Sequence, residues 1–379
     1  MNKLLMGVAA LALAACGNQQ TSAKAGQTAA GGSSSAPVST ATVKSDSKTF
    51  HDWYAVCDNG NLCSAYAGGQ TGWILIQMDA GGQAQPTVRV GMWPDSGDDL
   101  KSAVTLGIDG NRHVAAFTSD DETNGLLSAS DARAAISQLA AGRSITLSAE
   151  GQTVELPTAG VSASLLWFDE RQGRLDTTTA LIRKGSKPAS AVPAAPALPV
   201  ITPGPAVSQA GFAVAKEIVD GEDLSHPILP ASLEALPFVK QCREDTATNA
   251  YLNKAVSADR LSATAELWGI PCSSGAYNES YAYYLTGPQG ANPRLIYFPN
   301  ADGKPRPSAE GDDMLLTNPA YDPDTRVMSA FAKGRGIGDC GVDQSWVWTG
   351  EAFVLSREFV MSDCFGITAD LWPSTYRSR

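Results

Sequence analysis

The sequence predicts a mainly β protein of α+β character: two antiparallel β-rich domains, each with a short helix, joined by a Pro/Ala linker. Three observations predict it. Short alternating apolar and polar runs recur along the chain, punctuated by Gly, Asn and Asp turn signals. Only one stretch carries a well-marked helical period. A proline-rich segment divides the ordered part of the 379-residue chain in two.

The first element is a signal peptide over residues 1–15. Lys3 supplies its positive end, and Leu4–Leu13 is an apolar run too short for a membrane span, which needs about 20 residues. Leu13-Ala14-Ala15-Cys16 places small residues before a cysteine, as in a lipobox, so Cys16 is read as the lipid acceptor. The competing reading is a secreted chain in which Cys16 forms a disulfide. Seven cysteines are present. Lipidation of Cys16 leaves an even set, Cys57, Cys63, Cys242, Cys272, Cys340 and Cys364, suited to an oxidising compartment. Acylation by several chains gives stable anchoring. Gly17 in place of Asp resembles the enterobacterial pattern for outer-membrane sorting. The expected location is therefore the cell envelope, lipid-anchored at the outer membrane and facing the periplasm. Residues 16–47 comprise this cysteine and a tether of small polar residues, too poor in apolar surface to order. At about 30 residues it spans roughly 30 Å.

The first β-rich domain covers residues 48–183. Phe50–Cys57 and Leu62–Tyr66 form a hairpin around Asp58-Asn59-Gly60-Asn61. A Cys57–Cys63 bond across it needs an odd loop length or a bulge, since a two-residue Asn-Gly turn would set Cys57 opposite Leu62. Further strands are expected at Trp73–Met78, Thr87–Met92, Ser102–Ile108 and Val114–Thr118. A helix follows with Ser130 as N-cap, Ala132, Ala135, Ile136 and Leu139 on one face, and Gly142 as its stop. Ser144–Ala149 and Thr153–Pro157 pair through Glu150-Gly151, and Leu165–Phe168 closes the domain. Residues 184–210 form the linker, an extended polyproline-like spacer.

The second domain covers residues 211–379. A short helix within Leu229–Cys242 is capped by Ser232, and a strand runs over Ser262–Ile270. The next strand sets Tyr281 and Tyr283 on one face and Tyr284 on the other. Arg294–Phe298, Asp313–Leu316 and Arg326–Phe331 continue the antiparallel pattern. Trp346-Val347-Trp348 and Phe353-Val354-Leu355 form a last hairpin, whose open end a Cys340–Cys364 bond would close. Sequential pairing, with Cys57–Cys63 and Cys242–Cys272 as the other two bonds, keeps each bridge within one segment.

Several stretches carry a family resemblance. Phe50-x-Asp52-Trp53, Cys57, Cys63, the motif that runs from Ser128 through Asp131-Ala132 to Gly142, and the run Ile145–Leu165 resemble the invasion-associated locus B family, exported β-rich proteins of alphaproteobacteria. The chain departs from that family in lacking its second cysteine pair. Leu267-Trp268-x-x-Pro271-Cys272-x-x-Gly275-Ala276-Tyr277-Asn278 resembles a bacterial family known as domain of unknown function 1176. So do Lys333-Gly334-Arg335-Gly336-x-Gly338-Asp339-Cys340-Gly341 and Trp346-x-Trp348-x-Gly350-x-x-Phe353-x-Leu355. This resemblance covers about residues 48–379. It implies export and a shape, with no catalytic residue to carry over.

Chemistry-bearing motifs are sparse. The net charge of −11 excludes a general nucleic-acid binder. There is no G-x-S-x-G, H-E-x-x-H or P-loop. No cysteine spacing is C-x-x-C, and His51, His113 and His226 are scattered, which disfavours redox and zinc chemistry. Lys333 and Arg335 among glycines are candidate anion or ligand contacts, against the plain alternative of a strand-connecting loop. Trp268, Tyr277, Tyr281 and Tyr283 are a candidate aromatic platform, against the alternative of sheet core. Asp95–Asp99 and Asp120-Asp121-Glu122 lack the spacing of a calcium loop. No catalytic residue, metal or cofactor is expected. The expected function is a non-catalytic binding or structural lipoprotein, with an envelope protein or glycan as partner and the membrane reached through the lipid. The alternatives are an inhibitor of a host or rival enzyme such as lysozyme, and an envelope hydrolase with an unrecognised site.

The anchor is tested directly. Cys16→Ser should move the protein from the membrane to the soluble fraction of cells; unchanged membrane retention would defeat the lipid assignment.

Overall fold

The computed structural model describes residues 43–379, apart from 70, 94–99, 119–120, 220 and 304–313. Cys16, Asp95–Asp99 and Asp120 lie outside the described residues, as do the side chains of Asp121 and Glu122. The protein is mainly β, with antiparallel sheets and five short α-helices among the described residues.

The N-terminal half is one ten-stranded sheet. Its strands are β1 (Asp46–Phe50), β2 (Trp53–Cys57), β3 (Cys63–Gly69), β4 (Gly72–Met78), β5 (Thr87–Met92), β6 (Val104–Ile108), β7 (Asn111–Thr118), β8 (Asp121–Leu126), β9 (Ile145–Ala149) and β10 (Gln152–Leu156). They lie in the order β1-β2-β3-β4-β5-β8-β7-β6-β9-β10. The sheet curls until β9 approaches β4: a Cβ at Gly72 would lie 3.1 Å from Leu147 Cδ1. Its concave face encloses a core of Trp53, Ile74, Ile76, Val88, Val90, Leu106 and Leu147.

Helices α1 (Ala129–Leu139) and α2 (Val161–Arg171) complete that core. α1 presents Ala132, Ala135, Ile136 and Leu139, the expected face. Its cap is Ser128, not Ser130: Ser128 Oγ accepts from Asp131 N at 3.1 Å and donates to Asp131 Oδ2 at 2.7 Å. This side-chain cap, with an acidic residue in the first turn, fixes the start two residues early. Leu165–Phe168, expected only to close the domain, is the middle of α2, which buries Val161, Leu165 and Phe168 at helical spacing.

The Cys57–Cys63 bond joins directly opposed residues. Five residues, Asp58 to Leu62, form the loop, an odd length that brings the two cysteines into register.

The C-terminal half begins with two small ribbons, β11 (Val214–Ala215) with β14 (His226–Pro227) and β12 (Ile218–Val219) with β13 (Glu222–Asp223). The single helix expected within Leu229–Cys242 is two: α3 (Ala231–Glu234) and α4 (Pro237–Asp245), followed by α5 (Ala250–Lys254). Pro237 opens α4 at its first turn, where the missing N–H costs nothing. Ser232 lies inside α3 and donates to Gly290 O at 2.6 Å instead of capping.

Two five-stranded sheets follow. The first has β15 (Ser257–Arg260), β16 (Glu266–Ser274), β17 (Glu279–Gly287), β18 (Ala291–Ile296) and β19 (Leu315–Thr317). The second has β20 (Pro319–Asp322), β21 (Val327–Lys333), β22 (Gly341–Trp348), β23 (Phe353–Met361) and β24 (Ser374–Arg377). The strand expected over Ser262–Ile270 starts late. Ser262 Oγ accepts from Thr264 N at 3.1 Å and Leu261 N donates to Ala265 O at 2.9 Å, a hydroxyl-supported turn that displaces the ladder. Leu267, Tyr283, Phe298, Met328, Trp346 and Phe353 form the core shared by the two sheets. Bonds Cys242–Cys272 and Cys340–Cys364 staple α4 to β16 and close the open end of the β22–β23 hairpin.

The proline-rich segment is extended, but it is not a free spacer. Ile201 N donates to Arg379 O at 2.9 Å, Arg379 N to Pro199 O at 2.8 Å, and Gly204 N to Trp348 O at 2.8 Å. Proline loses a donor but keeps its carbonyl, so the segment can still pair with the chain terminus.

The two halves share a third core. β3 and β4 are buried on both faces, as the near-continuous apolar run Trp73-Ile74-Leu75-Ile76 requires. Tyr66, Trp73 and Leu75 face away from the first core and pack with Cys340, Met361, Ile367 and Trp372. The seam is locked by polar groups. Asn59 Nδ2 donates to Arg377 O and Arg377 N to Asn59 Oδ1, both at 2.8 Å. Arg377 Nε also pairs with Asp58 Oδ2, while Asp58 Oδ1 accepts from Gly60 N at 2.7 Å and Leu62 N at 2.9 Å.

Asp58 is fully buried. Asp58→Ala should therefore cost about 3 kcal/mol, because it orphans two loop amides and the Arg377 guanidinium together. Urea unfolding checks this; a midpoint within error of the parent would show that the lock contributes nothing.

Candidate functional site at the seam

A cleft of about 700 Å³ opens where the halves meet. Its N-terminal wall comes from the β1–β2 turn, His51 and Asp52, and from Tyr54 and Tyr66. Its C-terminal wall is Ser362, Asp363 and Phe365, beside the Cys340–Cys364 bond.

The turn is held rigidly. Phe50 pairs with Trp53, so His51-Asp52 is a two-residue turn, and His51 adopts a φ of 51°. Asp52 N donates to Ala159 O at 3.3 Å and Trp53 Nε1 to Pro157 O at 3.0 Å. Gly160, with φ of 110°, lets that loop press on the turn: a Cβ there would sit 1.7 Å from Phe50 O. Phe50-His51-Asp52-Trp53 thus presents two exposed polar side chains on a fixed base.

At the floor, Tyr66 Oη donates to Asp363 Oδ2 at 3.1 Å. Burial, and then the adjacent Asp363 carboxylate, push the phenol pKa far up, so Tyr66 remains a neutral donor. Tyr66 also packs against Tyr54 at 5.3 Å and edge-on to Phe365 at 6.2 Å between ring centroids.

The far wall is fixed by a residue the sequence nominates for another task. Arg335 grips Asp339 through two parallel hydrogen bonds, Nε to Oδ1 at 2.6 Å and Nη2 to Oδ2 at 2.5 Å. Arg335 Nη2 also donates to Cys364 O at 3.1 Å, and Gly366 N to Asp339 Oδ2 at 2.7 Å. Burial alone would raise the Asp339 carboxyl, but Arg335 and the Gly366 amide outweigh it and hold it below its ordinary value. Arg335 is therefore spent on an internal carboxylate, and the candidate anion contact loses one of its two cations. Lys333 keeps a side chain without a partner among the described residues, while its main chain bonds to Asn278.

The candidate aromatic platform does not assemble. Trp268 and Tyr283 sit on opposite faces of one sheet, in different cores, and both are buried. Tyr281 bonds Glu279 Oε2 at 3.1 Å, and Tyr277 bonds Gly334 O at 3.1 Å. Trp268 is registered opposite Tyr284 and so shares its face, while Tyr281 and Tyr283, two residues apart, share the other.

Asp339, Cys340 and Cys364 are close enough to suggest a metal site, but both sulfurs are in a disulfide and the carboxylate is taken by Arg335. His113 Nε2 lies 3.0 Å from Gln138 Oε1, and His226 Nδ1 lies 3.0 Å from Leu224 O. His51 is the histidine in the cleft. His51, expected within a strand, lies in a turn, and no sequence motif nominates Asp363 or Phe365. The available signal was local: Asp363 and Phe365 flank Cys364, and a disulfide positions its neighbours.

A second ionisable cluster lies at the edge of the C-terminal core. Asp259 is placed near the buried Arg326 and Tyr321, and Ser257 hydrogen-bonds Tyr283. Arg326 Nε and Tyr321 Oη are buried without a hydrogen-bond partner among the described residues. Burial pushes the Asp259 carboxyl up to about 6, against the pull of the Arg326 guanidinium.

Comparison with known proteins places the chain among relatives of undefined activity. A family model described as protein of unknown function (DUF1176) matches residues 47–379. An Escherichia coli (strain K12) protein described as uncharacterized protein YpfG is 26% identical over 345 residues, covering 88% of this chain and 93% of its own length. No solved structure matches.

Asp259 supplies a pH test. Its folded-state pKa is raised, so the native state holds this proton more tightly than the unfolded chain does. The resulting stability is complete below the ordinary value of 3.8 and is lost as the pH rises through about 6. Asp259→Asn should remove that fall from urea-unfolding profiles; identical pH slopes for variant and parent would refute it.

Proposed function

The chain belongs to the DUF1176 family of proteins of unknown function, and from the cleft at its seam we propose that it is a lipid-anchored, non-catalytic envelope protein that binds a glycan. The observation that carries the reading is the Tyr66–Asp363 pair at the floor of a cleft edged by Tyr54, Phe365, His51 and Asp52. A saccharide offers apolar C–H faces and hydroxyl groups at fixed angles. Tyr54 and Phe365 supply ring surface for the former. Asp52 and the second oxygen of Asp363 supply acceptors for the latter, and His51 supplies a ring nitrogen. Two carboxylates disfavour an anionic ligand, so the occupant is a neutral or amine-bearing sugar.

The cleft is supported as pre-formed by rigid walls: the Pro157–Gly160 loop on one side, and the Arg335–Asp339 pair with the Cys340–Cys364 bond on the other. Acylation at Cys16 would keep this surface close to the envelope. The segment between Cys16 and β1 would let it reach polymer beyond the headgroups.

The test is calorimetric titration of the purified full chain with neutral oligosaccharides of N-acetylglucosamine, the uncharged sugar of the cell-wall glycan. Saturable binding without turnover is expected. Asp363→Asn and Phe365→Ala should each weaken it about tenfold, the equivalent of one charge-assisted hydrogen bond or one ring contact. Release of shortened sugars would replace the reading with a hydrolase, and the absence of saturable binding would remove the glycan assignment.

A further inference from the structure

We infer that the N-terminal half carries a second, separate pocket for a small amphipathic carboxylate. The pocket, about 330 Å³, lies between α1, the loop after β4 and the segment leading into the proline-rich stretch. That volume falls in the range of small-molecule sites.

Its walls are built, not incidental. Arg174 is fully buried and pins the loop after β4: Nη2 donates to Asp79 O at 3.0 Å and Gly81 O at 2.6 Å. Asp169, equally buried, pins the opposite wall by accepting from Leu181 N at 2.7 Å, Ile182 N at 2.8 Å and Arg183 N at 3.0 Å. Arg174 Nη1 also donates to Thr179 Oγ1 at 3.3 Å, so buried charges fix the two loops relative to one another.

The lining chooses the ligand. Met78, Pro86, Ile136 and Leu181 make an apolar floor. Ser137, Thr178 and Thr179 add hydroxyls, and the charged lining residues are Arg133 and Lys184, with no carboxylate among them. On a chain of net charge −11, a paired cationic rim is a local inversion of sign. Arg133 gives one N–H to Gln85 Oε1 at 2.8 Å, which orients the guanidinium and leaves its other donors for a ligand. The apolar body of the ligand lies on the floor, and its carboxylate meets Arg133 and Lys184. The lining shares no residue with the glycan cleft, so the two sites stand or fall separately.

Octanoate is the probe, titrated calorimetrically into the purified full chain. One site with a dissociation constant at or below about 1 mM is expected, as for a ligand of this size. Octanol, which lacks the charge, and acetate, which lacks the body, should each bind at least about tenfold more weakly. Arg133→Gln with Lys184→Gln should weaken octanoate by the same factor. Both positions are exposed, so folding should be unaffected. Ser137→Phe, at the mouth, should block octanoate, while Phe365→Ala in the cleft should leave it unchanged. No saturable octanoate binding, equal binding of octanol, or unchanged affinity in the double variant would each overturn the assignment.

Discussion

The outer face of β2–β4 cannot be left to water, and the rest of the architecture follows from that. Tyr66, Trp73 and Leu75 point away from the first core and together form a broad apolar surface. Burying three such side chains is worth on the order of several kcal/mol. The C-terminal half supplies the cover in Met361, Ile367 and Trp372. Apolar burial is non-directional, so register is set by the polar lock beside it. Asn59 forms a two-point pairing with the main chain of Arg377, while Asp58 takes its side chain. The small Cys57–Cys63 loop thereby becomes the docking point for the last strand.

The seam also explains the cleft. Two sheets with independent twist cannot meet flush along their whole edge, and the gap is bounded by whatever each half holds rigid. On one side that is the His51-Asp52 turn, clamped by Pro157, Ala159 and Gly160. On the other it is the Asp363–Gly366 segment, clamped by Arg335 and Asp339. Gly366, with φ of 90°, is needed where the chain passes Trp93: a Cβ there would lie 1.6 Å from the indole nitrogen. Asp363 and Phe365 are consequently presented at fixed angles.

Buried charge recurs as a device for holding loops. Asp169, Arg174 and Asp58 each satisfy several main-chain groups, and Arg326 donates to the carbonyls of Arg260 and Leu261. Ionised side chains are expensive to bury unless fully bonded. A single one that meets several loop amides or carbonyls substitutes for the secondary structure those loops lack. Arg335 does similar work from a half-exposed position, gripping the buried Asp339 and the carbonyl of Cys364. Its glycine-rich setting looked like a ligand loop in the sequence, because an internal carboxylate partner four residues away cannot be told from a solvated one without coordinates.

The features legible in the residue pattern are local. The hairpin around Glu150-Gly151, the apolar face of α1, the alternation of Tyr283 and Tyr284, the antiparallel β class and the odd loop length demanded by a Cys57–Cys63 bond all follow from period, turn chemistry and parity. Such features depend on neighbours a few residues apart. Tertiary structure alone decided which second faces are covered, that the proline-rich segment is tied down at Arg379, and that Asp363 meets Tyr66 across 297 positions of chain. It also dispersed the aromatic platform and set Arg335 on the buried Asp339. These outcomes depend on which surfaces meet when the halves close, and no pattern within one strand encodes its distant partner. The seam, which sets Asp363 against Tyr66, is a region that no local rule describes.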